Sequence, residues 1–493
     1  MVGRPTVRRI ARPDPASAKY QVKYSSGEAV RSMASQQIEH TERPLRVAVI
    51  GASLAGLFAA AAVSRAGHEA VLVERDQLSD TAAPRAGVPQ GEQPHVFLLR
   101  GLLAAEELLP GLRADLKSRG AVPFDSARVA WLGEHGWLKR AEGFEVLSLT
   151  RPLFEQVVRE RVLGLDRVEL RDDTVVKGMH QGDTTGRPRW RVETARPEGN
   201  VDADLVIDAS GRNSRLPEWL AALGTSTPTV SEIDARIGYS TRVYRDAPDL
   251  PGISGIVLQT TPWNPIGGLA FPVEDRKWLV VAFGRGDRRP PRDIAGFESL
   301  LHQLPDPALA DLIDRATPCS DVKVHRRNGN RRYHYERMRD WPAGLLAMGD
   351  AFVAFNPVFG QGITVAACEA VVLRDQLAAG LGPGDARKLM HMFAATAELP
   401  WSVAVGQDVR QPTCDARQNV AQAVTNAWGR ELTRLAVHGN ARAGVALTRL
   451  YHLMGTPRSL LHPALFGAAL RAKVVGYGPA APRPPGLDAM VIA

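Results

Sequence analysis

The chain is poor in cysteine, with only Cys319, Cys368 and Cys414 among its 493 residues. These three lie far apart and form neither a Cys-x-x-Cys pair nor a Cys/His cluster. Spacing of this kind argues against structural disulfides and against a metal centre. We therefore expect no metal, and a reducing, cytoplasmic location.

Long hydrophobic runs and basic stripes with interleaved aromatic residues are also missing. No apolar stretch reaches the roughly 20 residues of a membrane span, and the N-terminus carries charges where a signal peptide needs an apolar core. The net charge is +8, but residues 1–46 hold nine Lys/Arg and four Asp/Glu, so the remainder is nearly balanced. We expect no integral membrane span and no nucleic-acid partner. Residues 1–45, rich in Arg, Pro, Ser and Gln, are predicted to be a disordered basic extension.

The most informative stretch is residues 46–76, RVAVIGASLAGLFAAAAVSRAGHEAVLVERD. An apolar strand at 47–50 leads through a Gly-Ala-Ser-Leu-Ala-Gly turn into an Ala-rich helix, and a second strand at 70–73 follows. This pattern predicts a βαβ unit that binds a dinucleotide. A structural βαβ unit with a convenient glycine turn is the alternative.

Each part of this unit has an expected role. Gly51 permits the turn and Gly56 lets the helix pack against the strand. The start of the helix, at Ser53, Leu54 and Ala55, offers N–H groups to a pyrophosphate, although Ser53 replaces the usual middle glycine. The second strand ends at Glu74 and Arg75, and Glu74 is placed to accept a hydrogen bond from a ribose hydroxyl.

Two later strands end in the same way. ADLVIDASG ends at Asp208, and GLLAMGD ends at Gly349 and Asp350. An irregular loop then leads through Asn356-Pro357 to Gly360-Gln361-Gly362, which open a helix to about residue 378. Because ligands bind at the carboxyl ends of strands in such sheets, we expect these three strand ends to converge.

The remaining patterns divide the chain. Longer strands with two helices predict an inserted domain on a mixed or antiparallel sheet, and the apolar faces of the C-terminal helices are expected to pack against the domains. The predicted parts are a first dinucleotide-binding segment at 46–227, a substrate domain at 228–330, a return segment at 331–382 and a C-terminal helical region at 383–493.

The order and spacing of these motifs carry a resemblance to a known family. With the stretches RAGVPQGEQPHVFLLRG, NRRYHYERMRDWPAGLLAMGDAF and FNPVFGQGITVAA, the chain resembles the FAD-dependent monooxygenases of the para-hydroxybenzoate hydroxylase fold over residues 46–381. It is most similar in look to actinobacterial polyene epoxidases of polyether biosynthesis and, more remotely, to squalene epoxidase. The implied fold class is α/β: a Rossmann-like FAD-binding domain of the GR2 type, an inserted mixed or antiparallel sheet, and C-terminal helices.

The resemblance also implies roles for the later motifs. Asp350 would accept hydrogen bonds from the flavin ribityl chain, and Pro357 would lie beside the isoalloxazine. Gly360, Gln361 and Gly362 would place N–H groups and a helix dipole at the flavin N1/C2 edge.

Other residues remain more open. Arg85 and Arg151 match family arginines near the pyrophosphate or ribityl chain, but each is equally read as a solvated surface arginine. Asp208 stands in Asp-Ala-Ser-Gly instead of the common Asp-Gly pair, which leaves open whether NAD(P)H reduces the flavin directly or through a flavin reductase.

The implied chemistry is oxygen insertion from O₂ through a flavin C4a-hydroperoxide. The stretch GGLAFPVEDRKWLVVAFG would supply an apolar pocket, and no base is placed by a motif. His95, His325, Tyr333 and Tyr335 are candidate wall residues, so no catalytic residue is assigned. An alkene needs no base, which favours epoxidation of a polyene, polyketide or terpenoid in secondary metabolism, including antibiotic biosynthesis, over phenol hydroxylation.

Three further alternatives remain. A halogenase needs a lysine and a Trp-x-Trp-x-Ile-Pro segment. The stretch TPWNPIGG is only superficially similar to that segment. A saturating reductase would transfer hydride without oxygen. A lipid-binding escort would lack flavin altogether, and the intact Glu74 and Asp350 argue against it.

Overall fold

The computed structural model describes residues 43–85, 91, 94–139, 141–182, 189–326 and 328–488, with only the backbone of 94–96. The basic extension predicted at 1–45 lies outside these residues except for its last three. The side chain of His95 lies outside them as well. Within the described part, no helix is long and apolar enough to cross a membrane.

Among the described residues, the strands fall into five sheets. In chain order they are β1 (Arg46–Ile50), β2 (Glu69–Val73), β3 (Pro94–Val96), β4 (Val122–Asp125), β5 (Val129–Gly133), β6 (Gly136–Trp137), β7 (Glu145–Thr150), β8 (Val168–Arg171), β9 (Val176–Gln181), β10 (Trp190–Thr194), β11 (Val201–Ala203), β12 (Leu205–Asp208), β13 (Val230–Ile233), β14 (Ile237–Arg245), β15 (Gly255–Leu258), β16 (Ile266–Val273), β17 (Lys277–Arg285), β18 (Thr317–Pro318), β19 (Lys323–His325), β20 (Asn330–Tyr333), β21 (Leu345–Ala347) and β22 (Val353–Ala354).

The helices surround the sheets and fill the C-terminal region. They are α1 (Leu54–Arg65), α2 (Leu99–Leu108), α3 (Leu112–Ser118), α4 (Arg151–Leu163), α5 (Leu216–Ala222), α6 (Ile294–His302), α7 (Ala308–Arg315), α8 (Gly362–Ala378), α9 (Ala386–Asp408), α10 (Val420–Val437), α11 (Ala441–Tyr451) and α12 (Pro463–Val475).

The central sheet has five strands in the order β21-β12-β1-β2-β8, and every pair is parallel. Strand β1 lies in the middle, and its residues from Val47 to Ile50 are buried, as a run of Val, Ala and Ile covered on both faces requires. Helices α1 and α8 pack against each other over the sheet. The predicted βαβ unit is confirmed.

The second large sheet has eight strands and carries the predicted inserted domain. Its main order is β18-β14-β17-β16-β15-β5-β6, with β19 also pairing with β14. Strand β5 pairs in parallel with β15, while the other pairs are antiparallel, so the sheet is mixed. Strands β5 and β6 come from residues 129–137, within the segment that the sequence predicts as FAD-binding. They extend the sheet because β15 would otherwise expose an unpaired edge.

The two faces of this sheet have different neighbours. One face packs against α6 and α7 through Phe297, Leu301 and Leu309. On the other face, an apolar cluster around Tyr239 and Phe283 packs against Val358, in the loop before α8. This loop therefore lies between the two large sheets.

We expect Leu57→Ala to destabilise the fold, because Leu57 is fully buried on α1 beneath the glycine turn. Truncating a buried leucine costs about 2–5 kcal/mol, whereas an exposed leucine costs well under about 1 kcal/mol. Leu163→Ala, at a side chain that is 38% exposed, is the matched control. Urea unfolding of the two apoproteins measures the difference, and equal losses would contradict this packing.

Candidate active site

The carboxyl ends of β1, β12 and β21 meet at one edge of the central sheet, and the loops that leave them enclose a cleft of about 610 Å³. This volume is in the range of small-molecule and cofactor sites. Fourteen of the predicted residues line the cleft: Gly51, Ser53, Leu54, Ala55, Glu74, Arg75, Arg85, Arg151, Gly349, Asp350, Pro357, Gly360, Gln361 and Gly362.

The glycine turn is the most tightly constrained part of the cleft. Gly51 has φ +99°, and a Cβ there would lie 2.7 Å from the carbonyl oxygen of Ala209. Gly56 does not line the cleft, but a Cβ there would lie 1.8 Å from the carbonyl oxygen of Gly51. The turn thus fits only because both residues lack side chains. Helix α1 has no acidic residue in its own first turn, and its positive end lies at the cleft beside the Glu74 carboxylate, which accepts a hydrogen bond from the Ala52 N–H.

The Glu74 side chain is held by hydrogen bonds from the backbone of the glycine turn and of the loop after β2. Its Oε2 accepts a hydrogen bond from the Ala52 N–H at 2.8 Å, and its Oε1 accepts one from the Asp76 N–H at 3.0 Å. Arg85 Nη1 lies 3.0 Å from Oε2. This carboxylate is therefore held rigidly at the end of β2, where it lines the cleft.

Arg85 and Arg151 both line the cleft, and Glu155 joins them. Arg85 Nε donates to Glu155 Oε1 at 2.8 Å, and Arg151 Nε lies 3.5 Å from Glu155 Oε2. Arg151 Nη2 also donates to Ser53 Oγ at 2.9 Å. Two guanidinium groups thus stand beside the glycine turn, where they can bind a pyrophosphate. Sequence reasoning missed Glu155, although it lies four residues after Arg151 on α4.

The Gly349-Asp350 turn packs directly on helix α1. Gly349 has φ +58°, and a Cβ there would lie 2.7 Å from the Ala55 Cβ. The Gly349 N–H donates to Glu369 Oε2, at 2.9 Å, from helix α8. Asp350 follows with its side chain 29% exposed and its Oδ2 3.9 Å from Arg212 Nε. Its carboxylate is thus available to a hydroxyl-bearing ligand.

Glu369 supports this turn from inside the protein and was not predicted. It is fully buried, and its Oε1 has no hydrogen-bond partner in the described part of the chain. Burial raises the pKa of Glu369 to about 8, since the backbone hydrogen bond from Gly349 only partly offsets desolvation. Glu369 is therefore mostly protonated at neutral pH.

The loop before α8 is held by a buried polar network centred on Asp408 of α9. The Asp408 carboxylate accepts hydrogen bonds from Asn356 and Asn330 and from Arg285 Nη1 at 3.2 Å. Asn356 Oδ1 in turn accepts from the Tyr239 hydroxyl at 2.6 Å. The network joins the inserted sheet, the return segment and the C-terminal region immediately beside Pro357.

Asp208 is located elsewhere than its prediction as a cofactor ligand implies. It is fully buried and does not line the cleft; its carboxylate accepts hydrogen bonds from Ser210 and Ser214. Burial raises the pKa of Asp208. The residue shapes the loop after β12, and Arg212 from that loop lines the cleft instead.

The candidate wall residues separate in the structure. His325 lines the cleft, at the end of β19. Tyr333 and Tyr335 stack on each other with centroids 5.2 Å apart and do not line it. Burial raises the pKa of Tyr335, so this phenol stays neutral.

The polar atoms left over in the cleft fit a flavin nucleotide. Gln361 Oε1, Arg85 Nη2 and Arg212 Nε are buried without hydrogen-bond partners among the described residues. Buried groups of this kind are usually satisfied, so they indicate a polar ligand. Gln361 precedes α8, which has no acidic residue in its first turn and so directs a positive dipole end at the cleft.

The family follows from the sequence match and agrees with this geometry. Residues 44–397 match the family model described as FAD binding domain. The protein belongs to this FAD-binding domain family of the FAD-dependent monooxygenases, and its fold is of the para-hydroxybenzoate hydroxylase type.

Particular relatives can be named. The Mycobacterium tuberculosis protein Rv3254 is 31% identical over 374 residues, covering 72% of this chain and 77% of that protein. The flavin-dependent brominase Bmp2 superposes with a TM-score of 0.61 at 15% identity, over 88% of this chain and all of that chain. The p-nitrophenol 4-monooxygenase PnpA from Pseudomonas putida DLL-E4 gives 0.60 at 17% identity, over 84% and 98%. At such identities, these two structures support the fold alone.

We expect Asp350→Ala to lose most of the bound FAD, by a factor of about ten or more in affinity, because a charge-assisted hydrogen bond to the ligand disappears. Asp375→Ala, at an exposed aspartate on α8, is the control and should bind FAD normally. Fluorescence titration of the apoproteins with FAD measures both. An Asp350→Ala protein with unchanged affinity would remove Asp350 from the site.

We expect Glu369→Gln to remove a pH dependence of stability. The pKa of Glu369 in the folded state, about 8, exceeds that of a glutamate in the unfolded state. Between about pH 4.5 and 8, the folded state therefore keeps a proton that the unfolded state has already released. Relative to Glu369→Gln, the wild-type protein should lose about 1 kcal/mol per pH unit across this window and level off above it. Urea unfolding at several pH values measures the difference, and parallel curves would show that Glu369 is ionised in the fold.

Proposed function

We propose that this protein is an FAD-dependent monooxygenase that inserts one oxygen atom of O₂ into an apolar natural product, with epoxidation of an alkene in a polyene, polyketide or terpenoid as its reaction. One oxygen atom enters the double bond and the other leaves as water. NAD(P)H supplies the two electrons, directly or through a flavin reductase. The observation that carries the proposal is the cleft in which the glycine turn, Asp350 and the Gly360-Gln361-Gly362 loop meet.

Different residues of the chain would bind different parts of FAD. Bound FAD supplies the activation of O₂. The start of α1, with Arg85 and Arg151, would hold its pyrophosphate, while Glu74 and Asp350 would accept hydrogen bonds from its ribose and ribityl hydroxyls. The start of α8 would favour negative charge on the reduced ring.

The apolar character of the substrate is inferred from the side chains that line the cleft, which include Phe97, Phe355 and Ile363. Behind the loop before α8, Ile237, Val281 and Phe283 of the inserted sheet form a buried apolar layer with Tyr239, whose hydroxyl donates to Asn356 Oδ1. Burial raises the pKa of Tyr239, so it is not a base at neutral pH. Apolar side chains in the cleft favour a hydrocarbon substrate and exclude water from the reacting atoms.

Aromatic hydroxylation is the second candidate, and His325 is the observation that favours it. This imidazole lines the cleft and is of the type that removes a phenolic proton. If phenols are the substrates, His325→Gln should lower kcat by about a hundredfold or more and remove the corresponding limb of the pH profile. If His325→Gln and the wild type have the same pH profile, His325 is not the base, and aromatic hydroxylation loses the observation that favours it.

The deciding experiment uses the purified full-length protein with polyenes and phenols under ¹⁸O₂. We expect a yellow, FAD-containing protein, oxidation of added NADPH or NADH with or without a flavin reductase, and a polyene product that carries one ¹⁸O atom. Label in a ring hydroxyl would indicate the hydroxylase. Halide-dependent products would indicate a halogenase, although no lysine is among the described residues that line the cleft.

Two outcomes would contradict oxygenation outright. A saturated product without O₂ consumption would identify a reductase. A colourless protein that does not take up FAD would indicate a lipid-binding escort.

A further inference from the structure

Helix α12 has two apolar faces, of which only one is packed. Leu465, Ala469 and Ala472 face α10 and are buried. On the opposite side, Phe466 is 47% exposed, Leu470 67% and Val474 78%. A spacing of four residues places these three side chains in one row along the helix. The expectation that the C-terminal apolar faces pack against the protein fails for this row.

The row continues onto a neighbouring helix. The Phe466 ring stacks on Trp428 with centroids 4.3 Å apart and planes 12° apart. On α10, Val420 and Val424 precede Trp428 at four-residue steps and are 82% and 65% exposed. We call this surface the C-terminal apolar strip; with the exposed Leu461, it comprises Val420, Val424, Trp428, Leu461, Phe466, Leu470 and Val474. Single exposed apolar residues are ordinary, but a continuous strip marks an interaction surface.

Basic side chains lie on both sides of the strip. At 100° per residue, Lys473 falls on one side of the Phe466–Leu470–Val474 row and Arg471 on the other, and both are exposed. Arg417 and Arg458 add exposed positive charge nearby in sequence. Residues 409–475 contain nine Lys/Arg and two Asp/Glu. Three of the arginines pair with carboxylates from earlier in the chain, Arg410 and Arg430 with Glu134 and Arg449 with Glu142, and an excess of positive charge remains.

We propose that the C-terminal apolar strip docks the protein on the surface of a membrane that contains anionic lipid. An apolar row flanked by Lys and Arg, with a Trp at its edge, suits a helix that lies in the plane of the lipid interface. Helix α12 has 13 residues, whereas a membrane span needs about 20, so it would lie along the surface and not cross it.

The positive charge beside the strip favours an anionic membrane over a second copy of the chain or the N-terminal segment. A second copy, related by a twofold axis, would bring the same basic side chains together, and the N-terminal segment is itself basic. Anionic headgroups instead complement Arg471 and Lys473 while the acyl chains accept Leu470 and Val474. The proposal does not depend on the flavin chemistry.

The test is flotation of the full-length protein with vesicles of phosphatidylcholine alone or mixed with phosphatidylglycerol. We expect binding to the anionic vesicles that weakens with added salt, and little binding to phosphatidylcholine. The double variant Leu470→Glu/Val474→Glu should lose at least about tenfold in partitioning. Ile294→Glu, at a 43% exposed apolar residue on α6, is the matched control and should bind like wild type.

A second pair of variants keeps the test decisive if the first perturbs folding. Arg471→Glu/Lys473→Glu leaves the apolar row intact and should also weaken binding to anionic vesicles by at least about tenfold. Vesicle binding equal to wild type in either double variant, provided that its circular dichroism and melting temperature are unchanged, would overturn the proposal. So would a failure of the wild type to float, including the case in which it forms a dimer that Leu470→Glu/Val474→Glu dissociates.

Discussion

The cleft depends on one constraint, which is that all five strands of the central sheet run in the same direction. Parallel strands deliver their carboxyl ends to a single edge. Here β1, β12 and β21 lie side by side, so the turn at Gly51 lies against Ala209 and the turn at Gly349 lies against Ala55 at the start of α1. Because no Cβ fits at Gly51 or Gly349, backbone atoms form this part of the cleft, where a nucleotide can bind.

The second sheet is joined to the cleft by polar contacts as well as by apolar packing. Asp408 receives hydrogen bonds from Asn356 beside the cleft and from Arg285 on the inserted sheet. A buried carboxylate is costly unless it is paired and hydrogen-bonded, and this one has partners from three parts of the chain. The arrangement fixes the position of the loop that carries Pro357 relative to the inserted sheet.

Sequence patterns predicted the features that depend on local geometry. The strand, turn and helix around Gly51 follow from periodicity and glycine chemistry, and the loop at Gly360 follows from its motif. The side-chain direction of Asp208 and the roles of Glu369 and Asp408 depend on residues distant in sequence, such as Ser214 and Gly349. The sequence did not place strand β5 in the second sheet for the same reason. The residue that pairs with Val129 of β5 is Gly255, which lies far along the chain.

The position of β21 also bears on how the protein is made. It pairs with β12, so that Asp208 lies opposite Ala347, and strands β14 to β19 of the inserted sheet are synthesised between them. A nascent chain emerging from the ribosome therefore has β12 with one side unpaired until the last part of the domain has appeared. Contacts of such long range slow folding and leave strand edges open to other chains. Folding of the inserted strands before β21 emerges would hold β21 close to β12 as soon as it is synthesised, which shortens the time for which that edge stays open.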